Sequence, residues 1–305
     1  MMTNLNVREQ VIGLTKEWDQ ERFEDGRPRV PDKYLEILRG MTLEEVWLPL
    51  YIKGYRFQFE GSLNRLNPAA KMVGRAVTCT FVPARPDLCK AVKEYGEGRG
   101  WKGTCNQWVI DSLTQGDVVV ADMYDKIYNG TFIGGNLTTA IKARTKNGGA
   151  VIWGGIRDVE QMRKIEDIQV CYRGVDPTPI RECVMTGFNG PTRIGKAVCM
   201  PGDVVFSTES GVLFIPPHMV ETVINEANKA HAKDIFGFEM LKKKHYTTAQ
   251  VDSTIWSTDM LAEMEKFLEE DERGEKYRSL DWNLEKLAAD GDPDAETEIL
   301  KRCLE

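Results

Sequence analysis

The 305-residue sequence predicts an α/β protein, because helical and strand patterns follow one another along it. The segment 134–158 shows this most clearly. Its first half has apolar residues at Leu137, Ala140 and Ile141, the i, i+3, i+4 spacing of one buried helix face. Residues 150–153 then form a short apolar run flanked by glycines, which is typical of a strand buried on both faces.

A second observation is a predicted hairpin near residue 210. Residues 204–207 and 212–215 are apolar runs with strand character, and the TESG sequence between them favours a turn. Hairpin and crossover connections therefore occur in the same chain. This pattern establishes the α/β class, although by itself it also allows a doubly wound sheet.

The remaining elements follow from apolar periodicity and from turn and capping residues. Proline is expected in the first turn of the helix near residue 86, and Thr104 is expected to cap the next one. Gly148 and Gly149 are expected to end the helix that starts near residue 135. Further helices are predicted over residues 6–22, 31–38, 86–95, 104–113, 218–232 and 257–270, and further strands over 118–121 and 197–200.

Composition excludes several classes of protein. The net charge is −7, and residues 259–305 carry sixteen acids and seven bases, so the rest of the chain is close to neutral. Neither part is basic enough to predict nucleic-acid binding. No apolar run reaches 18 residues and the polar start lacks a signal-peptide core, so we expect a cytoplasmic protein that does not bind membranes.

The cysteines are scattered and form no CxxC motif, which predicts reduced thiols in a cytosolic core rather than disulfides or zinc ligands. The seven are Cys79, Cys89, Cys105, Cys171, Cys183, Cys199 and Cys303. Only three histidines are present, and they are far apart in the sequence, so a histidine-rich zinc site is not expected.

The chemistry is predicted to lie at the two ends of the 134–158 segment. A helix that starts near Gly135 points its first backbone amides at one place, and such amides bind anions. We therefore expect the amides of Gly135, Asn136, Leu137 and Thr138 to hold a substrate carboxylate. The strand after the helix ends in Arg157–Asp158. Arg157 offers a planar fork for a carboxylate or oxo group, and Asp158 is an oxygen ligand of the kind that Mg²⁺ or Mn²⁺ prefers.

Four segments occur in the order found in the RraA-like family, which this sequence resembles: GRAVTC at 74–79, GDVVVAD at 116–122, GGN…GGIRD at 134–158 and PGDVVFSTESGVLFIP at 201–216. The family includes metal-dependent 4-hydroxy-4-methyl-2-oxoglutarate aldolases and ribonuclease E regulators. The resemblance implies an αββα-type sandwich around a small mixed barrel, assembled as a homotrimer or hexamer with sites at subunit interfaces. It covers residues 40–235, which leaves an N-terminal helical extension at 1–39 and a C-terminal helical extension with an acidic tail at 236–305.

The resemblance also implies a divalent-metal-dependent lyase that acts on a small anionic oxo or hydroxy acid. The reaction would be a retro-aldol cleavage or decarboxylation of a 4-hydroxy-2-oxo acid through a metal-stabilised enolate. Arg157, Asp158 and Asn136 are the expected catalytic residues, and Asp158 is the expected metal ligand. One departure from the family is Asn136, where the aldolases usually carry an acid.

Asparagine cannot accept the aldol proton, so position 136 leaves three functions open. The base of an aldolase would then lie elsewhere, with Glu226, His231 and Asp234 as candidates. A dehydratase or hydratase of a sugar-derived acid would use the same metal and arginine with another base. A non-catalytic regulator would need no base. Asn136 is also explained as a helix N-cap, a role that asparagine favours.

Overall fold

The computed structural model describes residues 5–301, and it shows a mixed α/β protein. Two compact units are present. One comprises the chain up to Leu43 together with Phe57–Val220, and the other comprises Glu44–Arg56 together with the chain from Glu221. The three-part division at residues 39 and 235 remains a prediction.

The first unit is built on a central sheet. Its strands are β1 (Phe59–Glu60), β2 (Asn64–Arg65), β3 (Met72–Pro83), β4 (Asp117–Asp122), β5 (Gly149–Ile156), β6 (Gln169–Val175), β7 (Cys183–Phe188), β8 (Thr192–Ile194), β9 (Ala197–Cys199), β10 (Val204–Thr208) and β11 (Gly211–Ile215). Its helices are α1 (Arg8–Leu14), α2 (Asp32–Arg39), α4 (Pro86–Gly98), α5 (Cys105–Asp111), α6 (Gly135–Thr145) and α7 (Val159–Met162).

The sheet order is β1-β11-β10-β3-β4-β5-β6-β2, with β7 also paired to β3 and with β8 and β9 forming a separate hairpin. The four strands from β3 to β6 are parallel, and their neighbours join them antiparallel. Cys171 Sγ of β6 and Ser207 Oγ of β10 are 3.3 Å apart, although three strands separate them in the sheet order. The sheet is therefore strongly curved. In the strand pairs described within residues 5–301, β1 and β2 are the two ends of this curved sheet.

Each face of this sheet carries its own apolar core. On the helix side, alternate residues of the central strands pack with α4, α5 and α6, among them Val77, Val119 and Ile152. On the other side, the intervening residues pack against the β8–β9 hairpin and the β10–β11 pair, among them Val118 and Val151. Parallel strands buried on both faces read as continuous apolar runs, which is why β4 and β5 were predictable.

The first helix is shorter than predicted. Helix α1 ends at Leu14, and the predicted helix over 6–22 is wrong beyond that point. The Arg22 guanidinium donates hydrogen bonds to the carbonyls of Thr15, Trp18 and Gly26, which holds the chain in turns instead. Arg27 then ties this segment to the sheet through a buried ion pair with Asp117, with Nη1 2.8 Å from Oδ1. Burial lowers the pKa of Arg27, but Asp117 and Asp25 outweigh it and the net shift is upward.

The second unit is helical. Its helices are α3 (Leu43–Ile52), α8 (Val220–Lys242), α9 (Thr248–Val251), α10 (Thr258–Glu270), α11 (Asn283–Ala289) and α12 (Pro293–Leu300), and a 3₁₀ turn spans Glu272–Tyr277. Leu43 and Val220, the first residues of α3 and α8, belong to the first unit, as does the 3₁₀ turn at Pro217–Met219. The tail from Arg273 is polar and acidic in sequence, yet two of its aromatic side chains pack into the core of this unit. Tyr277 and Trp282 are only 1% and 4% exposed and lie in the apolar core of this unit.

The predicted strands and the predicted cap of α5 are confirmed. The predicted strands lie within or overlap β4, β5, β9, β10 and β11, and Thr104 forms a capping box with Gln107 at the start of α5. The six described cysteines are free, and Cys303 lies outside the described residues. No helix among residues 5–301 is long and apolar enough to cross a membrane.

Asp203, at the turn before β10, makes the stability of the fold depend on pH. It is 2% exposed, and burial raises its pKa to about 7, although the Met200 amide donates to its carboxylate at 2.8 Å and opposes this shift. The folded pKa lies above the usual value of 3.8. The stabilising contribution of protonated Asp203 is therefore complete below about pH 4 and is lost as the pH rises to about 7.

We expect Asp203→Asn to remove this loss, because asparagine stays neutral and its oxygen can still accept the Met200 amide. The unfolding free energy of Asp203→Asn minus that of the wild type should increase by about 2–3 kcal/mol between pH 5 and pH 8. Chemical denaturation of both proteins at the two pH values measures it. Equal pH slopes for variant and wild type would show that Asp203 titrates normally.

Candidate functional site

The end of β5 and the start of α6 lie side by side, as the sequence predicts. The loop that leads into α6 runs along the end of β5, and two backbone hydrogen bonds hold it there. Phe132 N donates to Gly155 O at 2.9 Å, and Arg157 N donates to Ile133 O at 3.0 Å. These bonds bring the first turn of α6 next to the Arg157–Asp158 pair.

Asp158 joins the two elements directly. The Gly135 amide, the first of α6, donates to Asp158 Oδ2 at 3.1 Å, and Arg157 Nε lies 3.7 Å from the same oxygen. Asp158 adopts a left-handed backbone conformation with φ 57° and ψ 34°, which aspartate tolerates better than most residues. The side chains of Arg157 and Asp158 are 39% and 34% exposed, so both remain open to a ligand.

This arrangement requires glycine at position 134, because there is no space there for a side chain. A Cβ atom there would lie 2.3 Å from Asp158 Oδ2 and 2.8 Å from Arg157 Cγ. Its φ of −141° and ψ of −163° are extended values that other residues adopt readily, so the constraint comes from contact and not from conformation. Glycine lets the backbone pass directly against both site residues.

Of the four backbone amides predicted to bind the substrate, two already have hydrogen-bond partners and two do not. Gly135 N is taken by Asp158, and Thr138 N donates to Gly134 O at 3.0 Å as the first intrahelical bond. The prediction of a free amide at Thr138 is therefore wrong, and the Thr138 side chain is also fully buried. The amides of Asn136 and Leu137 have no hydrogen-bond partner described within residues 5–301. These two are the ones left for a substrate carboxylate.

Asn136 is not the helix N-cap, so that interpretation is wrong. Gly134 occupies the cap position, and Asn136 is the second residue of α6 with an exposed side chain. Helix α6 also ends earlier than predicted, at Thr145, with Lys146 at φ 62°. Gly149 instead opens β5, where a Cβ would lie 2.0 Å from Gln169 O of β6.

The donor set around Asp158 fits one kind of metal. Both contacts described for its carboxylate use Oδ2, which leaves Oδ1 as the oxygen available to a cation. No group of three histidine, cysteine or acidic side chains suited to a metal is found among residues 5–301. A single carboxylate suits Mg²⁺ or Mn²⁺, which retain several waters, and does not suit zinc, which takes three or four protein ligands.

The three candidate bases all lie on α8, in the second unit. His231 Nδ1 is hydrogen-bonded to Glu45 Oε1, and this carboxylate is 8% exposed. Burial, and to a smaller extent Glu45, raises the pKa of Asp234, whereas His231 lowers it. Glu226 also takes part in an interaction within the described chain. Their role as bases remains a prediction.

Sequence reasoning missed Asp122, a buried carboxyl at the end of β4. Burial raises its pKa, Asp125 adds to this, and the Tyr124 amide at 2.8 Å and Arg193 at 3.8 Å oppose it. The loop that follows contains three non-glycine residues with positive φ, Tyr124, Asp125 and Asn129. Such conformations concentrate at functional sites. In the sequence, Asp122 is the final residue of GDVVVAD, a carboxyl at the end of a buried strand.

Comparisons with known proteins identify the family. A sequence model of the RraA-like family, described as Aldolase/RraA, matches residues 50–214. This is more than half of the chain, and the protein belongs to the RraA-like family. The family includes metal-dependent 4-hydroxy-4-methyl-2-oxoglutarate aldolases and RNase E inhibitors.

Individual relatives are distant. Protein DlpA of Legionella pneumophila is 25% identical over 165 residues, which cover 54% of this chain and 25% of DlpA, so the chain spans about a quarter of that relative. RraAS2 of Streptomyces coelicolor, an unusual member of the RNase ES inhibitor RraA protein family, has a TM-score of 0.58 and 21% identity over 70% of this chain and 98% of its own. An uncharacterised Pseudomonas syringae protein has a TM-score of 0.60 and 18% identity over 76% of this chain and 97% of its own. At these identities the two structures show a shared fold.

Proposed function

We propose that this protein is a divalent-metal-dependent lyase that breaks a carbon–carbon bond in a small 2-oxo acid. The observation that carries the proposal is the contact of the α6 amide with Asp158, beside Arg157. Amide donors, a guanidinium and a carboxylate thus meet at one exposed place. Together they match the carboxylate, the oxo group and the cation of a chelated 2-oxo acid.

Each residue has a distinct role in this proposal. Arg157 and the amides of Asn136 and Leu137 bind and orient the substrate carboxylate, because a planar fork and a helix N-terminus both favour anions. Asp158 would hold Mg²⁺ or Mn²⁺. When bound, the ion would polarise the oxo group of the substrate. Gly135 fixes the Asp158 carboxylate through its amide and so sets the direction of the remaining oxygen.

The proposed reaction on a 4-hydroxy-2-oxo acid breaks the bond between C3 and C4. The 4-hydroxyl loses its proton to a base and becomes the carbonyl of an aldehyde or ketone. The electron pair of the broken bond stays on C3, which then takes up a proton to give pyruvate or a substituted pyruvate. Asn136 cannot be the base, so Glu226, His231 or Asp234 of a neighbouring subunit would serve, or a water molecule. Decarboxylation would use the same anchors.

A second candidate is a carbon–oxygen lyase that dehydrates or hydrates a sugar-derived acid. Asn136 favours it, because an exposed neutral amide stands at the start of α6 where the related aldolases usually carry an acid. The metal and Arg157 would hold the acid in the same way, and only the group that moves the proton would differ. A non-catalytic regulator is the third candidate, and it predicts no turnover at all.

A panel of 4-hydroxy-2-oxo acids and sugar acids, assayed with Mg²⁺ or Mn²⁺, separates these functions. Pyruvate release and loss of water are read independently. Pyruvate release supports the proposed lyase, dehydration without pyruvate supports the second candidate, and a complete lack of turnover on every acid contradicts both. We also propose that the protein is a homotrimer or hexamer with sites at subunit interfaces. Light scattering in solution measures the number of chains in the particle.

Asn136→Asp tests the change at the start of α6. If the reaction is dehydration, the added negative charge should weaken binding of an anionic substrate and lower the native kcat/KM, by about tenfold for the loss of about 1.4 kcal/mol. If it is a retro-aldol, the new carboxylate can accept a proton, and pyruvate release should be retained or rise. The proposed carbon–carbon lyase predicts the second outcome, and the first outcome would support the carbon–oxygen lyase instead. Unchanged rates of both reactions would show that Asn136 has no part in the chemistry.

A further inference from the structure

The loop between β4 and α6 is anchored on a pair of glycines. Gly155 of β5 and Gly174 of β6 are partners in the strand register. Ile127 covers both, since a Cβ on Gly174 would lie 2.6 Å from Ile127 Cδ1 and one on Gly155 would lie 2.9 Å from Ile127 O. Gly155 N also donates to Lys126 O at 2.9 Å. The following residue, Tyr128, is therefore held at the tip of a fixed loop.

A second loop, residues 176–182, is joined to the first. Asp176 N donates to Ile156 O at 3.1 Å, which places the start of this loop beside the end of β5. Asn129 N donates to Thr178 Oγ1 at 2.9 Å, and Arg181 N donates to Asn129 O at 2.9 Å. The two loops together form one ordered rim at the carboxyl ends of β5 and β6.

This rim presents apolar side chains to solvent. Tyr128 is 68% exposed and Val175 is 53% exposed, and Pro177 and Pro179 are exposed as well. We call these four residues the apolar rim. Apolar side chains left exposed beside a polar site are suited to binding an apolar group, because the contact removes apolar surface from water.

Most charged groups around the apolar rim are paired with one another. Lys126 Nζ lies 3.4 Å from Glu182 Oε2, and Arg173 Nε lies 2.9 Å from Asp125 Oδ1. The Asp176 carboxylate accepts hydrogen bonds from the Thr178 amide and hydroxyl. The exception is Arg181 of the second loop, which is exposed and has no side-chain partner described within residues 5–301.

The apolar rim is continuous with the Arg157–Asp158 site. Val175 is the register partner of Ile156, the residue directly before Arg157. The loop that carries Tyr128 continues to Ile133, whose carbonyl binds the Arg157 amide, and then to Gly134 and Gly135. A ligand with its carboxylate on Arg157 thus has the apolar rim within the same stretch of surface.

We propose that the substrate carries an apolar substituent, aliphatic or aromatic, beyond its 2-oxo acid end, and that Tyr128 and Val175 determine specificity by contacting it. This inference rests on the proposed function and narrows its substrate class. Contact with a tyrosine ring and a branched aliphatic side chain removes apolar surface of the substituent from water.

Binding of two unreactive 2-oxo acids tests the inference without turnover, because neither has a 4-hydroxyl group. These are 2-oxobutanoate and 2-oxo-4-phenylbutanoate, measured by calorimetry with Mg²⁺ present. We expect the wild type to bind the phenyl compound at least roughly tenfold more tightly, and Tyr128→Ala to remove this preference. Phe238→Ala is the matched control, since it removes an aromatic side chain that is 58% exposed in the second unit. It should keep the preference.

Each other outcome overturns the inference. If the wild type binds both acids equally, or Tyr128→Ala keeps the preference, the apolar rim does not contact the substituent, whereas the 2-oxo acid site itself stands. If neither acid binds, the proposed function fails and the inference fails with it. If Tyr128→Ala lowers the mass of the particle in light scattering without changing the preference, the rim is a contact between copies of this chain.

Discussion

Replacing Asp158 by asparagine is expected to reduce kcat by roughly a thousandfold, equivalent to about 4 kcal/mol of transition-state stabilisation. Asparagine tolerates the left-handed backbone at this position and can still accept the Gly135 amide, so the variant removes the negative charge alone. The side chain is 34% exposed, and we expect the melting temperature to change little.

Asp167→Asn is the matched control for this variant. Asp167 is also an aspartate with positive φ, 51°, and its side chain is 87% exposed. Its replacement should leave kcat unchanged, because Asp167 takes no part in the site. Full turnover in Asp158→Asn, or full turnover of the wild type in excess chelator, would contradict a metal-dependent reaction at Asp158.

Gly134→Ala should produce the second large effect, a loss of about a hundredfold in kcat/KM with little change in stability. The new methyl group would lie 2.3 Å from Asp158 Oδ2 and 2.9 Å from Arg157 Nε, so both side chains must move away from their present positions. Both are partly exposed and free to shift, and the backbone angles of Gly134 suit alanine, so folding should tolerate the change.

Gly98→Ala provides the comparison for Gly134→Ala. Gly98 lies at the end of α4, and an added Cβ there would meet no atom within 4 Å. Steady-state kinetics and melting temperatures of the two variants separate a local steric effect from a general effect of alanine. A wild-type kcat/KM in Gly134→Ala would mean that the positions of Arg157 and Asp158 do not limit the reaction.

The elements that sequence predicted best are those set by local pattern. The apolar runs of β4 and β5 and the capping box at Thr104 depend on residues close together in the chain, and the structure confirms them. The neighbourhood of Gly135 and Asp158 was also predictable, because a helix followed by a parallel strand brings these two ends together.

What sequence did not predict depends on long-range contacts. Arg22 bonds to three carbonyls and replaces helix by turns, which no periodicity of residues 6–22 reveals. Tyr277 and Trp282 of the acidic tail are buried in an apolar core shared with α8 and α10, which lie earlier in the sequence. The cap of α6 fell on Gly134 instead of Asn136 because the space beside Asp158 excludes a side chain. The burial of Asp122 likewise depends on elements far from it in the sequence.

Binding of Mn²⁺ tests the central claim, that Asp158 holds a divalent ion beside Arg157, most directly. Electron paramagnetic resonance counts free and bound Mn²⁺ in the wild type, Asp158→Asn and Asp167→Asn, without requiring any substrate. The account predicts one ion for each chain in the wild type and in Asp167→Asn, and loss of that ion in Asp158→Asn. Equal binding of Mn²⁺ by all three proteins, or no binding by the wild type, would contradict it.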